Sequence, residues 1–421
     1  MTSNIKVIRR HMHILLLSMF YNPEPVARPH DLAVALKKLG HNVSVITAYP
    51  TYPQGKLYSN YKMQSATWDE IDGIRILRVP HLVDRSRSAI RRILSYTSFS
   101  LSAVWFGLRR TEKPEVIWTC QIGLPGLFMG KLRNVPVIHE VQDLWPDWSR
   151  AANLGLRAGI YRLLERQEQL IYRHAKAIVT ITDGFKHELI KKGAKSTKIE
   201  IIPNWANDDV FHPAQPDAKL AQREGFSGHF NVVYIGNVGA AQALGVVLDA
   251  ADQLRDSPEI RFVIIGDGVE RNELEKRAQK RGLNNVCFLG SRPQNEVANY
   301  MALSDVLFIH LQHNRVYEIT IPSKTYGYMA SGRPILAAAE GELANLILEH
   351  GAGIVCPSDD AKALAQSVLK LKAMPAVLLE KMGQAGYRAV TTEYSRAALG
   401  QRYSDLFEKI VRDRPRRPLN V

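Results

Sequence analysis

Three short segments in the second half of the chain carry residue types suited to holding phosphate: Gly236-Asn237-Val238-Gly239, Gly266-Asp267-Gly268 and Pro322-Ser323-Lys324. Glycine lets backbone N–H groups approach an oxyanion with no Cβ in the way. A proline prepares a helix start and a following serine can cap it. A lysine there adds a full positive charge to the unpaired N–H groups of the first turn. Together these segments describe a diphosphate site that needs no metal, and no Asp-x-Asp pair stands in the chain. Taken singly, each has a plainer reading as a tight strand-to-helix turn or a solvated lysine. Three in one half favour a ligand.

The first half offers a different set, His139-Glu140-Val141-Gln142-Asp143. His139 lies within an apolar run, where a histidine is more often a satisfied core residue than a catalytic one. Trp145 and Trp148 offer flat faces for stacking or for core packing.

Loops of this kind sit at the carboxyl ends of parallel strands, which lead into helix N-termini. Strand-like apolar runs alternate with helical periods along all 421 residues. In the first half they fall at 13–17, 43–47, 74–79, 116–118, 135–139 and 177–181. The rhythm restarts at 231–235, 261–265, 286–289, 306–309, 335–338 and 353–355. This predicts an α/β chain of two Rossmann-like domains with parallel sheets, over residues 1–205 and 206–395. A last helix, Arg396–Arg412, and a basic tail complete the segment 396–421. The polar, proline-bearing stretch Ile201–Pro213 suits the join.

Charge is unevenly placed. Residues up to Trp205 hold 30 Lys and Arg against 16 Asp and Glu, whereas the remainder is balanced. A basic first half points to an anionic surface or ligand. With no zinc finger, aromatic RNA-binding signature or arginine-rich arm, nucleic acid is set aside. Cys120, Cys287 and Cys356 are too scattered for a disulfide framework, which suggests a reducing compartment. The apolar run Ile14–Phe20 is too short to span a bilayer and reads as a buried strand.

With these residues in view, the chain resembles the retaining glycosyltransferases of family four, which have the GT-B architecture. In the first half the resemblance rests on Leu39-Gly40-His41-Asn42-Val43, Asp143-Leu144-Trp145-Pro146-Asp147 and Ile202-Pro203-Asn204. In the second it rests on Tyr234-Ile235-Gly236-Asn237, Ile264-Ile265-Gly266-Asp267-Gly268, and Pro322-Ser323-Lys324 leading to Ala330-Ser331-Gly332-Arg333-Pro334-Ile335. Tyr21-Asn22-Pro23-Glu24 and Thr51-Tyr52-Pro53 look most like the branch that builds bacterial surface polysaccharides. That branch includes the N-acetyl-L-fucosamine and colanic-acid-type transferases.

The resemblance implies two sheets facing a central cleft, a nucleotide-sugar donor held by the second domain, no cofactor, and retention at the transferred sugar. It implies that the last helix crosses back to the first domain. Donor contacts fall on Gly236, Asn237, Gly266, Asp267, Gly268, Ser323, Lys324 and, as a second cation, Arg292. Asp143 and Glu318 are the catalytic expectations; Glu24, Arg28, His139 and Trp145 lie on the acceptor side. The chain departs from the family in places. Many members carry two glutamates eight apart around the third strand end; here Ile319 and Gly327 stand there, so Glu318 is the substitute. No Lys or Arg occurs in Asn231–Leu254, and Pro23-Glu24-Pro25-Val26-Ala27-Arg28 replaces a common glycine pair.

The run Arg85–Arg110 holds six arginines and no acid, with apolar residues at near-helical spacing. It suits a helix lying on an anionic membrane surface beside a polyprenyl-diphosphate-linked saccharide acceptor. A domain helix with solvated arginines is the alternative. The whole reads as a peripheral enzyme at the cytoplasmic face of the cell membrane, using a donor that is UDP-linked. The rivals are a nucleotide-sugar 2-epimerase on the same plan and a catalytically silent sugar-nucleotide-binding subunit.

Overall fold

The computed structural model describes residues 11–84, 89–144 and 158–413. The chain divides into two compact units. One takes the described residues up to Ile181, then Phe185–Ile202 and Leu399 onward; the other takes Thr182–Gly184 and Pro203–Ala398.

The first unit is built on eight strands: β1 (His13–Ser18), β2 (Asn42–Ala48), β3 (Thr67–Ile71), β4 (Ile74–Val79), β5 (Val116–Cys120), β6 (Val137–Val141), β7 (Ala177–Thr180) and β8 (Ile199–Ile201). They lie in the order β3-β4-β2-β1-β5-β6-β7-β8. Every pairing is parallel except β3 with β4. The central strands are near-continuous apolar runs because helices cover both faces of a parallel sheet. β3 was not predicted: its segment, Thr-Trp-Asp-Glu-Ile, is half polar and mostly exposed. The signal was in the turn. Asp72-Gly73 joins the strands with both residues at positive φ, as a two-residue hairpin demands.

Three helices of this unit matter below: α1 (Ala27–Lys38), α2 (Ala89–Arg110) and α3 (Leu124–Arg133). Helices α2 and α3 share one core cluster through Phe99, Ala103 and Met129, packed on Leu15, Leu17, Ile46 and Ile117 of the sheet. The helix Arg396–Arg412 has the bounds predicted. From Leu399 it belongs to this unit, with Leu399, Tyr403 and Phe407 fully buried. It approaches α1 closely: a Cβ added at Gly400 would stand 2.7 Å from that of Ala35.

The second unit holds six parallel strands: β9 (Phe230–Ile235), β10 (Ile260–Ile265), β11 (Val286–Gly290), β12 (Val306–His310), β13 (Ile335–Ala338) and β14 (Gly353–Cys356), in the order β11-β10-β9-β12-β13-β14. Two apolar clusters cover its two faces. The sheet aligns the carboxyl ends of β9, β10, β12 and β13 along one edge, where the phosphate-type segments lie.

Candidate active-site residues at two sheet edges

In the second unit, the loops after β9 and β10 are joined backbone to backbone. Gly236 N–H donates to Ile265 O (2.9 Å) and Val238 N–H to Asp267 O (2.9 Å). This closeness is why glycines stand there: a Cβ on Gly266 would fall 1.9 Å from Gly236 O, and one on Gly268 would fall 2.2 Å from Val238 O. Gly266 N–H donates to Gly290 O and Gly268 N–H to the Asp267 carboxylate.

Lys324 opens the short helix Lys324–Ala330 and reaches beneath the same turn. Its Nζ donates to Tyr234 Oη (2.5 Å) and sits 4.0 Å from the centre of that ring. A Cβ on Gly236 would come within 2.5 Å of Nζ. Tyr234 Oη in turn donates to Asn237 O (2.5 Å). One helical turn on, Tyr328 Oη accepts from Ile235 N–H (2.7 Å) and donates to Ile235 O (2.9 Å). Lys324 and Tyr328, four apart, therefore lie on one helix face and fasten the helix to the end of β9. No carboxylate pairs with Lys324 among the described residues. Burial lowers its pKa to about 7, so the ammonium is kept in a place that disfavours its own charge.

At the end of β12, buried His310 holds the turn Ala240–Gln242. Its Nε2 accepts from Asp359 N–H (3.1 Å), so Nδ1 carries the proton and donates to Gln242 O (2.6 Å). Glu318 lies farther along this edge, with its carboxylate 3.9 Å from His313 Nδ1; Glu340 is 3.5 Å from the same nitrogen.

In the first unit, the carboxyl end of β6 is organised by Glu140. The residue is 1% exposed. Its carboxylate takes Arg28 Nε (3.0 Å), Trp118 Nε1 (3.0 Å), Tyr403 Oη (2.5 Å) and the Gln142 amide. Arg28 NH2 also donates to Tyr403 Oη (2.8 Å). Burial alone would lower the Arg28 pKa, but Glu140 and Tyr403 outweigh it and raise it. Asp143 follows as an open side chain, yet surrounding protein limits its hydration and raises its carboxyl above the usual range.

Two family models cover most of the chain: "Glycosyl transferase 4-like domain" over residues 25–205 and "Glycosyl transferases group 1" over residues 218–389. The chain is a group 1 glycosyltransferase. It is 28% identical over 386 residues to the colanic acid biosynthesis glycosyl transferase WcaI of Escherichia coli (strain K12), covering 86% of this chain and 93% of that one. In fold it matches the sucrose-phosphate synthase of Thermosynechococcus elongatus, with a TM-score of 0.75 at 18% identity over 96% of this chain and all of the other. Anabaena HepE, solved in complex with UDP-glucose, matches with a TM-score of 0.70 at 16% identity over 95% and 100%. The fold of this glycosyltransferase is therefore GT-B.

Gly236, Asn237, Gly266, Asp267, Gly268 and Lys324 come together. The amides of Gly236, Gly266 and Gly268 are already spent within the protein, which corrects the expectation that they meet phosphate directly; their glycines serve the close approach of two loops. Ser323 makes no side-chain cap on the helix. Arg292 is drawn away to Tyr300 Oη (2.7 Å) and Glu224 (3.2 Å).

Arg28 is committed to Glu140 and so is not poised for a phosphate. Glu24 is 3% exposed, and its oxygens accept from the Tyr21, Thr51 and Tyr52 amides, so it braces two loops. His139 is buried with Nδ1 2.9 Å from Thr119 Oγ1, and burial lowers its pKa to about 4: it is a neutral core histidine of this transferase. Trp145, Arg85 to Ser88 and the basic tail lie outside the described residues. At Gly327 a Cβ would stand 3.2 Å from the Phe211 ring, so that face of the helix is taken by an aromatic. Glu140, Tyr234, His310 and Tyr328 carry no role in the sequence expectations; only Tyr328 has a legible signal, its spacing from Lys324.

Proposed function

We propose that this glycosyltransferase moves a sugar from a UDP-linked donor to a lipid-linked saccharide, with retention at the transferred carbon. The observation that carries the reading is Lys324: a half-buried cation under a glycine turn at the carboxyl edge of a parallel sheet, with a phenol and, among the described residues, no carboxylate for a partner. A nucleoside diphosphate supplies the missing negative charge. Its arrival favours the protonated lysine, which then offsets the charge that builds on the departing diphosphate.

In this reading the Gly236–Gly239 and Gly266–Gly268 loops shape the donor's seat and Glu318 meets donor sugar hydroxyls. Asp143 steadies positive charge at the sugar carbon or steers the acceptor hydroxyl. The UDP-glucose bound by HepE supports the choice of donor class. The naming of the E. coli relative for colanic acid biosynthesis supports a place in surface-polysaccharide synthesis, at the inner face of the cell membrane.

A thermal-shift panel of nucleotides and nucleotide sugars tests the donor side, because a ligand that binds only the folded chain raises its melting temperature. UDP-sugars should give the largest shift, and Lys324→Ala should remove most of it. An equal shift in both proteins would take Lys324 out of the diphosphate site.

A further inference from the structure

One residue at the carboxyl edge of the first sheet is held in a backbone conformation that its type disfavours. Directly after β5, Gln121 stands at φ +67°, and Ile122 N–H donates across it to Cys120 O (2.7 Å). This is a three-residue turn with a left-handed middle residue, a rare and strained form. The other described non-glycine residues at positive φ are Asp72, Asn134, Ala243 and Asp359. Asp and Asn tolerate the region because their short side chains bond locally. Ala243 ends the helical turn Ala240–Gln242, where a left-handed residue is common. Neither reason applies to Gln121.

Packing accounts for the bend but not for the residue. Ile122 is buried in the core cluster that α2 and α3 share, and the chain must pass at once into α3. A Cβ on Gly123 would stand 2.9 Å from Ile171 and 3.0 Å from His139 Nδ1, so the turn has no room to widen. Glycine at position 121 would make the same bend without strain. A side chain kept there, and exposed, points to a use for that side chain.

The neighbouring strand shows the use. Cys120 lies opposite Glu140 in the parallel pair of β5 and β6, so Gln121 and Asp143 leave the sheet at adjacent strand ends, about 4.8 Å from strand to strand. Burial, then the Glu140 carboxylate and more weakly Asp143, push the Cys120 thiol well up, which sets Asp143 beside this end of β5. Other polar groups of the edge are spent. Glu140 takes Arg28, Trp118, Tyr403 and Gln142, and Glu24 takes three backbone amides. Among the described residues, the Gln121 carboxamide and the Asp143 carboxylate have no hydrogen-bond partner.

We infer that Gln121 reads the acceptor: its carboxamide bonds hydroxyls of the sugar ring whose reacting hydroxyl Asp143 faces. The inference rests on the saccharide acceptor and the Asp143 role proposed above. A carboxamide sets a donor beside an acceptor, which suits two adjacent hydroxyls of one ring. Asp143 only accepts, and its charge disfavours an acidic sugar, so the ring read here is neutral. The strained turn also fixes the Gln121 backbone in advance, so less freedom is lost on binding.

The test uses the full chain, UDP-sugars as donors, and the octyl β-glycosides of glucose, galactose and N-acetylglucosamine as acceptors. Gln121→Gly keeps the turn and removes the carboxamide. It should raise the acceptor KM at least about tenfold with kcat nearly kept. Its melting temperature should not fall, and its UDP-sugar thermal shift should match the parent. Gln121→Asn also tolerates the turn but draws the amide back, and should lose acceptor affinity too. Gln121→Glu keeps the length and loses the N–H donors. Its transfer relative to the parent should recover as pH falls, because a protonated carboxyl again donates and accepts.

A Gln121→Gly enzyme that transfers as well as the parent would overturn the inference, since the residue would then only fill the turn. So would a joint fall in kcat and melting temperature, which marks a structural part. Either result leaves the transferase reading standing. A parent that shifts with UDP-sugar yet transfers to none of the glycosides sinks the saccharide acceptor, and the role of Gln121 falls with it.

Discussion

Each unit holds a half-buried cation at the carboxyl edge of its sheet, and the two are treated in opposite ways. Arg28 in the first unit meets the Glu140 carboxylate, and that partner raises its pKa. Lys324 in the second meets a phenol, and burial lowers its pKa to about 7. The first arrangement is electrically complete and serves the architecture. The second lacks an anion until a ligand brings one. Buried charge alone thus does not mark a binding site; buried charge without its counterpart does.

The comparison breaks most visibly at Glu140. Glu140→Ala removes the acceptor shared by Arg28, Trp118 and Tyr403 and should cost about 3–5 kcal/mol in denaturant unfolding, as breaking other buried pairs does. Replacing both members, Arg28→Met with Glu140→Leu, should recover much of that loss. A single-variant cost below about 1 kcal/mol would show that the pair is not closed as described.

Lys324→Met should act in the other direction on stability. The ligand-free protein should melt higher, because a disfavoured ammonium is gone, while UDP affinity falls about a hundredfold, near 2.7 kcal/mol. Unchanged affinity in calorimetry would place the diphosphate elsewhere.

A pH series sharpens the same point. Because burial lowers the Lys324 pKa from the usual lysine range, the unfolded chain holds more protons above pH 7. The contribution of Lys324 to stability therefore rises with pH from about 7 towards the ordinary lysine value. Donor affinity runs oppositely, falling by up to about tenfold per pH unit, near 1.4 kcal/mol, once the free lysine deprotonates. Calorimetry in buffers of different ionisation heat should report proton uptake on binding near pH 7.5. No buffer dependence would mean that Lys324 does not titrate with the ligand.

The smallest effect is expected from Tyr403→Phe, which removes one hydroxyl from the Glu140 network at about 1 kcal/mol and leaves donor binding intact. A matching loss of UDP affinity would mean that the two edges are not independent in the way the comparison holds.

Much of this was legible beforehand where local chemistry decides it. Ile335–Ala338 is a strand to the residue because a strand covered on both faces is an unbroken apolar run; Ile74–Val79 also keeps its bounds, with apolar residues dominating although Arg75 and Arg78 interrupt them. Lys324 and the glycine turns stood out because their residue types suit an oxyanion. Glu140 did not, since a carboxylate inside Val-Ile-His-Glu-Val reads as a break in an apolar strand. Its donors come from positions 28, 118, 142 and 403, and only the fold brings them together. Glu24 and Arg28 misled for the same reason: a loop charge looks free until its distant partner is known. β8 was missed because three residues carry almost no periodic signal.

The return of the helix Arg396–Arg412 to the first unit has a consequence for biosynthesis. Tyr403 lies 263 residues after Glu140, and Ser404 lies 363 after His41, whose ring it meets at 2.8 Å. While the chain is being made, the first sheet emerges early with a buried carboxylate lacking one of its donors and with α1 uncovered where Gly400 will press. The ribosome delivers those missing pieces only after the entire second sheet has passed, so the half that is made first is finished last.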